Sequence, residues 1–291
     1  MRHRGMTVCG AQRTGNPDKD SLISYTDGRS LRPYLSEFDA VVHAAGAAHF
    51  REKGASEYRE RMFAGNRDLT RDLVNAVRSA GGPRTFVHIS SIAASGITRA
   101  SDPVDETAEA DPEKASAYAL SKLAAEQEVL TLSGSGCTGV NLRPPLIYGS
   151  GAKGNWGFLQ SIAEKGIPLP FKLVRNRRSL LSVENLADLV YRILIETASG
   201  GNSGTYNVAD PGTVSLPEIL DALSEGVEKP LRLIPVPVGL LELALRACGK
   251  KRLIDGMLGD LVLNTTKVET EFSWTPPVST RMGIINSIRN S

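Results

Sequence analysis

The chain has 291 residues, enough for one large α/β unit or two domains with a sizeable core and no need of cross-links. Its 34 Lys plus Arg against 32 Asp plus Glu leave a net charge of +2, too little to hold a nucleic-acid backbone or an anionic membrane by charge. Three widely spaced cysteines, Cys9, Cys137 and Cys248, make neither a disulfide framework nor a CxxC metal pair, so no metal is expected and a reducing cytoplasm fits. No apolar run reaches the roughly 18 residues of a membrane span, so no membrane insertion is expected. The opening residues MRHRGMTVCG lack the apolar region of a signal peptide.

In chain order, residues 39–46 (DAVVHAAG) read as a buried strand running into a small-residue turn. Residues 56–79 read as a helix with Met62, Leu69, Leu73, Val74 and Val77 on one stripe, ended by Gly81, Gly82 and Pro83. A strand at 85–89 is followed at once by Ser90 and Ser91. A second long helix is expected over 114–132, and a third strand over 139–142, stopped by Pro144 and Pro145. Strands alternating with helices of this length predict an α/β fold, a doubly wound parallel sheet covered on both faces. After residue 150 Gly, Pro and basic residues become denser. There the pattern predicts a helix over 183–197, a strand over 204–209 and helices near 215–225 and 238–260. The expected division is 1–150 for the main sheet and 151–291 for a smaller substrate-side region that partly returns to it.

The chemistry is carried by Tyr118-Ala-Leu-Ser-Lys122, which sets a phenol and an ammonium four residues apart on one helix face. A nearby ammonium is expected to lower the phenol's pKa, fitting it to exchange a proton with a substrate oxygen near neutral pH. Ser91 stands just past a strand end, where ligands sit in open α/β sheets, and its hydroxyl is placed to hydrogen-bond the same oxygen. Arg175, Arg177 and Arg178 read either as a solvated basic loop or as a site for an anion. His43 reads as a core residue, and His49, after the turn, either as a substrate contact or as a structural group.

These segments resemble the extended short-chain dehydrogenases/reductases that act on nucleotide sugars. The resemblance runs over nearly the whole chain, through DAVVHAAG (39–46), GNRDLT with Asn66, FVHISS (86–91), YALSK (118–122), LRPPLIYG (142–149), KGN (153–155), RRSLLSVENLAD (177–188), TYNVAD (205–210) and FSWTPPVS (272–279). It implies a Rossmann-type sheet, with Tyr118 as acid/base, Lys122 on the nicotinamide ribose and Ser91 on the sugar C4 oxygen. It further implies Ala45 and Gly46 lining the cofactor and Asn66 beneath that site, where the alternative is a helix residue packed under the sheet. Asn155 and Arg178 would hold the UDP phosphates. The implied partners are a UDP-sugar and, through a four-helix bundle, a second copy of the chain. Within the family the segments resemble the UDP-4-keto-6-deoxy-sugar 4-reductases, which form UDP-N-acetylquinovosamine for surface polysaccharide. The alternatives are a 4-epimerase, as in UDP-glucose 4-epimerase, and a non-catalytic nucleotide-sugar-binding remnant.

The chain departs from the family at its start. The family's first strand and GxxGxxG turn, whose amides hold the cofactor pyrophosphate, have no counterpart in the sequence. The first residues read as the end of the helix that follows that turn and then the second strand, so roughly 20 to 25 residues that the fold expects are absent. The expectation is a fragment of a normal enzyme; the alternative is a genuine short form that binds cofactor poorly. After the second strand the stretch 7–13 (TVCGAQR) carries no acid for ribose hydroxyls. Arg13 suits a 2′-phosphate instead, which favours NADP over NAD.

Overall fold

The computed structural model describes residues 5–13, 22–25, 27–48, 54–152, 154–247, 256 and 258–289. Strands β1 (Gly10–Arg13) and β2 (Leu22–Tyr25) pair in parallel with each other. The stretch expected to follow a strand is therefore largely that strand itself. The main sheet is parallel, in the order β3 (Ala40–His43), β4 (Thr85–Ile89), β6 (Thr138–Arg143), β9 (Gly204–Asn207). Between β4 and β6 in the chain lies β5 (Ala100–Val104). All six residues of β6 and four of the five in β4 are buried, the signature of a sheet covered on both faces.

One face is covered by a long helical arm. The helix expected over 56–79 is present as α2 (Ala55–Phe63), a wider π-turn at Ala64–Asp68, and α3 (Leu69–Ala80); a short α1 (Arg32–Leu35) precedes them. Gly81 ends the arm in a left-handed conformation at φ 68°, as the Gly-Gly-Pro signal predicts. Leu73, Val74 and Val77 pack with Phe86 of β4 and with Val129 of α4 (Ala117–Leu130). That helix begins three residues later than expected because the Ser116 side chain accepts a hydrogen bond from the Ala119 amide and caps it. The cap puts Tyr118 in the first turn. On the other face, α6 (Val183–Glu196) brings Leu189, Val190 and Ile193 against Val87, Val140 and Leu142.

The remaining elements flank this sheet. Strands β7 (Leu146–Tyr148) and β8 (Leu180–Ser182) pair in parallel, and β10 (Leu261–Leu263) pairs with β5. Helices α5 (Asn155–Lys165) and α7 (Leu216–Gly226) pack with the C-terminal helix Thr280–Arg289 around Trp156, Leu220 and Ile284. Of the helix expected over 238–260, α8 covers Val238–Ala247, and residues 248–255 and 257 lie outside the described ones. Among the described residues no helix is long and apolar enough to cross a membrane.

Candidate active site

Parallel sheets leave their strand carboxyl ends open, and the chemistry-bearing residues converge there. β4 ends in Ile89, Ser90 and Ser91. Ser91 caps a short helical turn at Ile92–Ser95, accepting from the Ala93 amide at 3.2 Å. Against this end lies α4, whose Tyr118, Lys122 and Glu126 recur every four residues and so share one face. The Ser91 side chain meets the Tyr118 phenol. Lys122 is buried, with Nζ donating to the Ile89 carbonyl at 3.0 Å.

The electrostatics differ from the sequence-based expectation. Burial pushes the Tyr118 phenol above its usual range; the Ser91 hydrogen bond opposes this, and the neighbouring Tyr58 adds to it. The ammonium of Lys122 is aimed at a backbone carbonyl, and the phenol draws no lowering from it. Burial lowers Lys122 itself to about 8, against the opposing pull of Glu126. Tyr118 is thus a protonated phenol at neutral pH, and Lys122 is a cation poised to lose its charge in mild alkali.

The turn after β3 closes the site from the side. Asn66, buried in the π-turn, accepts from the Ala47 amide at 2.8 Å and donates to the Ala47 carbonyl at 3.0 Å. Its Nδ2 also donates to Ser121 Oγ at 2.9 Å, so one side chain ties the turn to α4. Ala45 and Gly46 stand exposed above it. A Cβ at Gly46 would lie 2.7 Å from Asn66 Oδ1 and 3.3 Å from Lys122 Nζ. Only glycine fits, and the backbone stays bare beside the lysine, a cradle suited to a flat ring and a ribose.

The expected phosphate-side residues are less gathered. Arg178 is partly buried, bridges to Val214 and Leu261, and donates through Nη1 to the Gly259 carbonyl at 2.9 Å. Burial lowers its pKa, Asp260 opposes this, and Arg99 adds to it. Arg175 and Arg177 are exposed, the solvated alternative. Asn155 opens α5 and Arg13 ends β1, but their side chains lie outside the described residues, as do His49 and Cys248. Cys137 is buried and its thiol is pushed up to about 11, which makes it unreactive.

Sequence reasoning missed a polar layer under α4. Ser90 Oγ donates to Glu126 Oε1 at 2.5 Å, and Arg143 pairs with the same carboxylate at 2.7 Å, both side chains 2% exposed. Glu126 was within reach of the pattern, being the next residue on the Tyr118–Lys122 stripe. Two histidines complete the layer. His43 and His88 are register partners on β3 and β4 and stack at 5.4 Å. His43 Nε2 contacts Thr70 Oγ1 at 2.9 Å, and His88 Nδ1 contacts Asn141 Oδ1 at 2.9 Å, so His43 is the core residue the sequence suggested.

This pair sets an acid limit on stability. Burial, with a contribution from the Lys122 ammonium, lowers His43 from 6.5 to about 3 and His88 well below 6.5. The unfolded chain takes up both protons near pH 6.5 while the folded chain does not. The unfolded state therefore binds more protons below that pH, and stability falls as pH falls. The expected loss for His43 is about 1.4 kcal/mol per pH unit between 6.5 and 3. Urea unfolding from pH 7.5 down to 5 should show at least this slope below pH 6.5, since His88 adds to it, and a flat profile would refute it.

The chain matches the NAD dependent epimerase/dehydratase family over residues 2–209. It is 32% identical over 256 residues to UDP-glucose 4-epimerase of Vibrio cholerae, covering 86% of this chain and 75% of that one. Two solved structures share the fold. One is UDP-glucuronic acid 4-epimerase from Bacillus cereus in complex with NAD, with a TM-score of 0.66 and 18% identity over 89% of this chain and 76% of that one. The other is RMD from Pseudomonas aeruginosa complexed with NADPH, with a TM-score of 0.66 and 21% identity over 94% and 91%. With its parallel sheet and its Ser91, Tyr118 and Lys122 at the carboxyl end, the chain belongs to the NAD dependent epimerase/dehydratase family.

Proposed function

We propose that the chain is a nucleotide-sugar oxidoreductase of surface polysaccharide synthesis. It would reduce the 4-keto group of a UDP-sugar with hydride from NAD(P)H. The observation that supports this best is the meeting of a protonated phenol, a hydroxyl and a buried cation at one sheet end. When bound, the nicotinamide supplies the hydride. Tyr118 holds the proton that turns the ketone oxygen into a hydroxyl, so the substrate gains one hydride and one proton and the cofactor is oxidised. Ser91 donates a hydrogen bond to that oxygen and polarises the carbonyl. Lys122 uses one N–H on Ile89 and keeps two for ribose hydroxyls. The bare Gly46 turn fits the cofactor beside it. Asn155 and Arg178 are proposed to hold the UDP phosphates, and Arg13 a 2′-phosphate, which favours NADPH.

A second reading is a UDP-sugar 4-epimerase, supported by the Vibrio cholerae relative. It would retain its cofactor and need no net reductant. Fluorescence titration with NADPH and NADH, followed by turnover of a UDP-4-keto-6-deoxy-sugar, separates the two. NADPH binding at micromolar levels or tighter, with NADPH consumed as the ketone disappears, is the expected result. Interconversion of UDP-glucose and UDP-galactose without net consumption would move the assignment to the epimerase. A folded chain that does neither would sink both readings.

A further inference from the structure

The end of β4 meets the α4 stripe residue by residue. The Ile89 carbonyl accepts from Lys122, the Ser90 hydroxyl donates to Glu126, and the Ser91 side chain meets Tyr118. Glu126 is fixed from a second strand. Arg143, the last residue of β6, reaches it through Nε at 3.0 and 3.1 Å and Nη2 at 2.7 Å. The Nη1 of Arg143 donates to the carbonyls of Glu106 at 3.2 Å and Ala108 at 2.8 Å, in the segment that leads into α4. Ser90, Glu126 and Arg143 are 5%, 2% and 2% exposed, so water does not compete for these bonds.

Ser91 and Tyr118 belong to different elements, and the distance between them depends on how α4 seats on β4. The Glu126 anchor lies two turns from Tyr118, about 12 Å along the axis. A tilt of about 5° at that anchor moves the phenol by about 1 Å, a displacement that costs on the order of 100-fold in rate. We infer that Ser90, through Glu126 and Arg143, is a positioning residue that fixes the seat of α4 and with it the Ser91–Tyr118 spacing. The bond joins a hydroxyl to a carboxylate with both groups buried, a charge-assisted contact in the absence of competing water. The consequence for turnover rests on the proposed function; the seating of the helix does not.

The test compares Ser90→Ala and Ser90→Thr with the unaltered chain, using turnover and NMR of isotope-labelled tyrosine. The Tyr118 resonance is assigned by its loss in Tyr118→Phe. In folded Ser90→Ala, kcat should fall on the order of 10- to 100-fold with KM within about 2-fold, and the Tyr118 resonance should move as the Ser91 contact loosens. Ser90→Thr keeps the donor and should restore both. A folded Ser90→Ala chain with an unmoved Tyr118 resonance would overturn the inference, and so would an unchanged kcat. If Tyr118→Phe itself turns over normally, the proposed function fails instead, and the resonance alone then judges the seat.

Discussion

Tyr118→Phe is expected to lower kcat by about 100- to 10,000-fold while leaving nucleotide affinity nearly unchanged. The substitution removes one oxygen and keeps the ring that fills the first turn of α4. That oxygen carries the proton. Burial holds the phenol above its usual range, so at pH 7 it is fully protonated, the state a reduction consumes. Ser91 keeps its hydroxyl in the mutant but has no proton to give at neutral pH, so it polarises the oxygen without completing the reaction. The pH dependence of the parent chain should carry the mark of Lys122. Its ammonium is lost as pH rises through about 8, and turnover should decline over the same range. Steady-state kinetics with a UDP-4-keto-sugar, alongside nucleotide titration, measures both effects. Near-normal turnover in Tyr118→Phe would remove the phenol from the mechanism.

Arg143→Met should destabilise the fold by about 3–5 kcal/mol, a large share of what a domain has to lose. The arginine is fully enclosed, and its loss leaves the Glu126 carboxylate buried with Ser90 as its remaining side-chain donor. Two carbonyls, of Glu106 and Ala108, lose their donor as well. The double change Arg143→Met with Glu126→Leu removes the stranded charge and should recover most of the loss, because a buried ion pair is often no better than apolar packing of similar volume. Urea unfolding at pH 7 gives both values. A single mutant within about 1 kcal/mol of the parent would mean that water reaches the pair.

The legible parts of this chain were those whose signal is local. Thr85–Ile89 is a short run rich in β-branched and aromatic residues followed by two serines, and it forms the strand expected of it. The Gly81-Gly82-Pro83 stop is equally local. A Cβ at Gly82 would sit 2.6 Å from the Leu35 carbonyl oxygen, so the second glycine also lets α1 approach. Short strands were not legible: Leu146–Tyr148, Leu180–Ser182 and Leu261–Leu263 are three residues each, too short for any period to emerge, and Ala100–Val104 holds a proline. In the site, the spacing of Tyr118 and Lys122 and the strand-end serine were readable. The direction of the phenol's pKa was not, because it turns on how deeply the ring is buried and on which atom the ammonium chooses. Nor was the Arg143–Glu126 pair, which exists only because β6 lies beside β4 under α4.

The order of the main sheet has a consequence for how the chain reaches it. Val42 pairs with Val87, Thr85 with Thr138 and Val140 with Gly204, so every ladder joins segments separated by dozens of residues. Each pairing must close a long loop before its first hydrogen bond forms, and such non-local topologies fold slowly. Helices α3 and α4 meet through Val77 and Val129 across a similar separation, so the apolar platform they offer the strands is no more local than the sheet itself. The polar layer of histidines, Glu126 and Arg143 is closed only when β3, β4, β6 and α4 are all in place. The site therefore exists only in the assembled sheet: Ser91 follows β4, Tyr118 rides on α4, and the strand whose arginine holds that helix by Glu126 is β6.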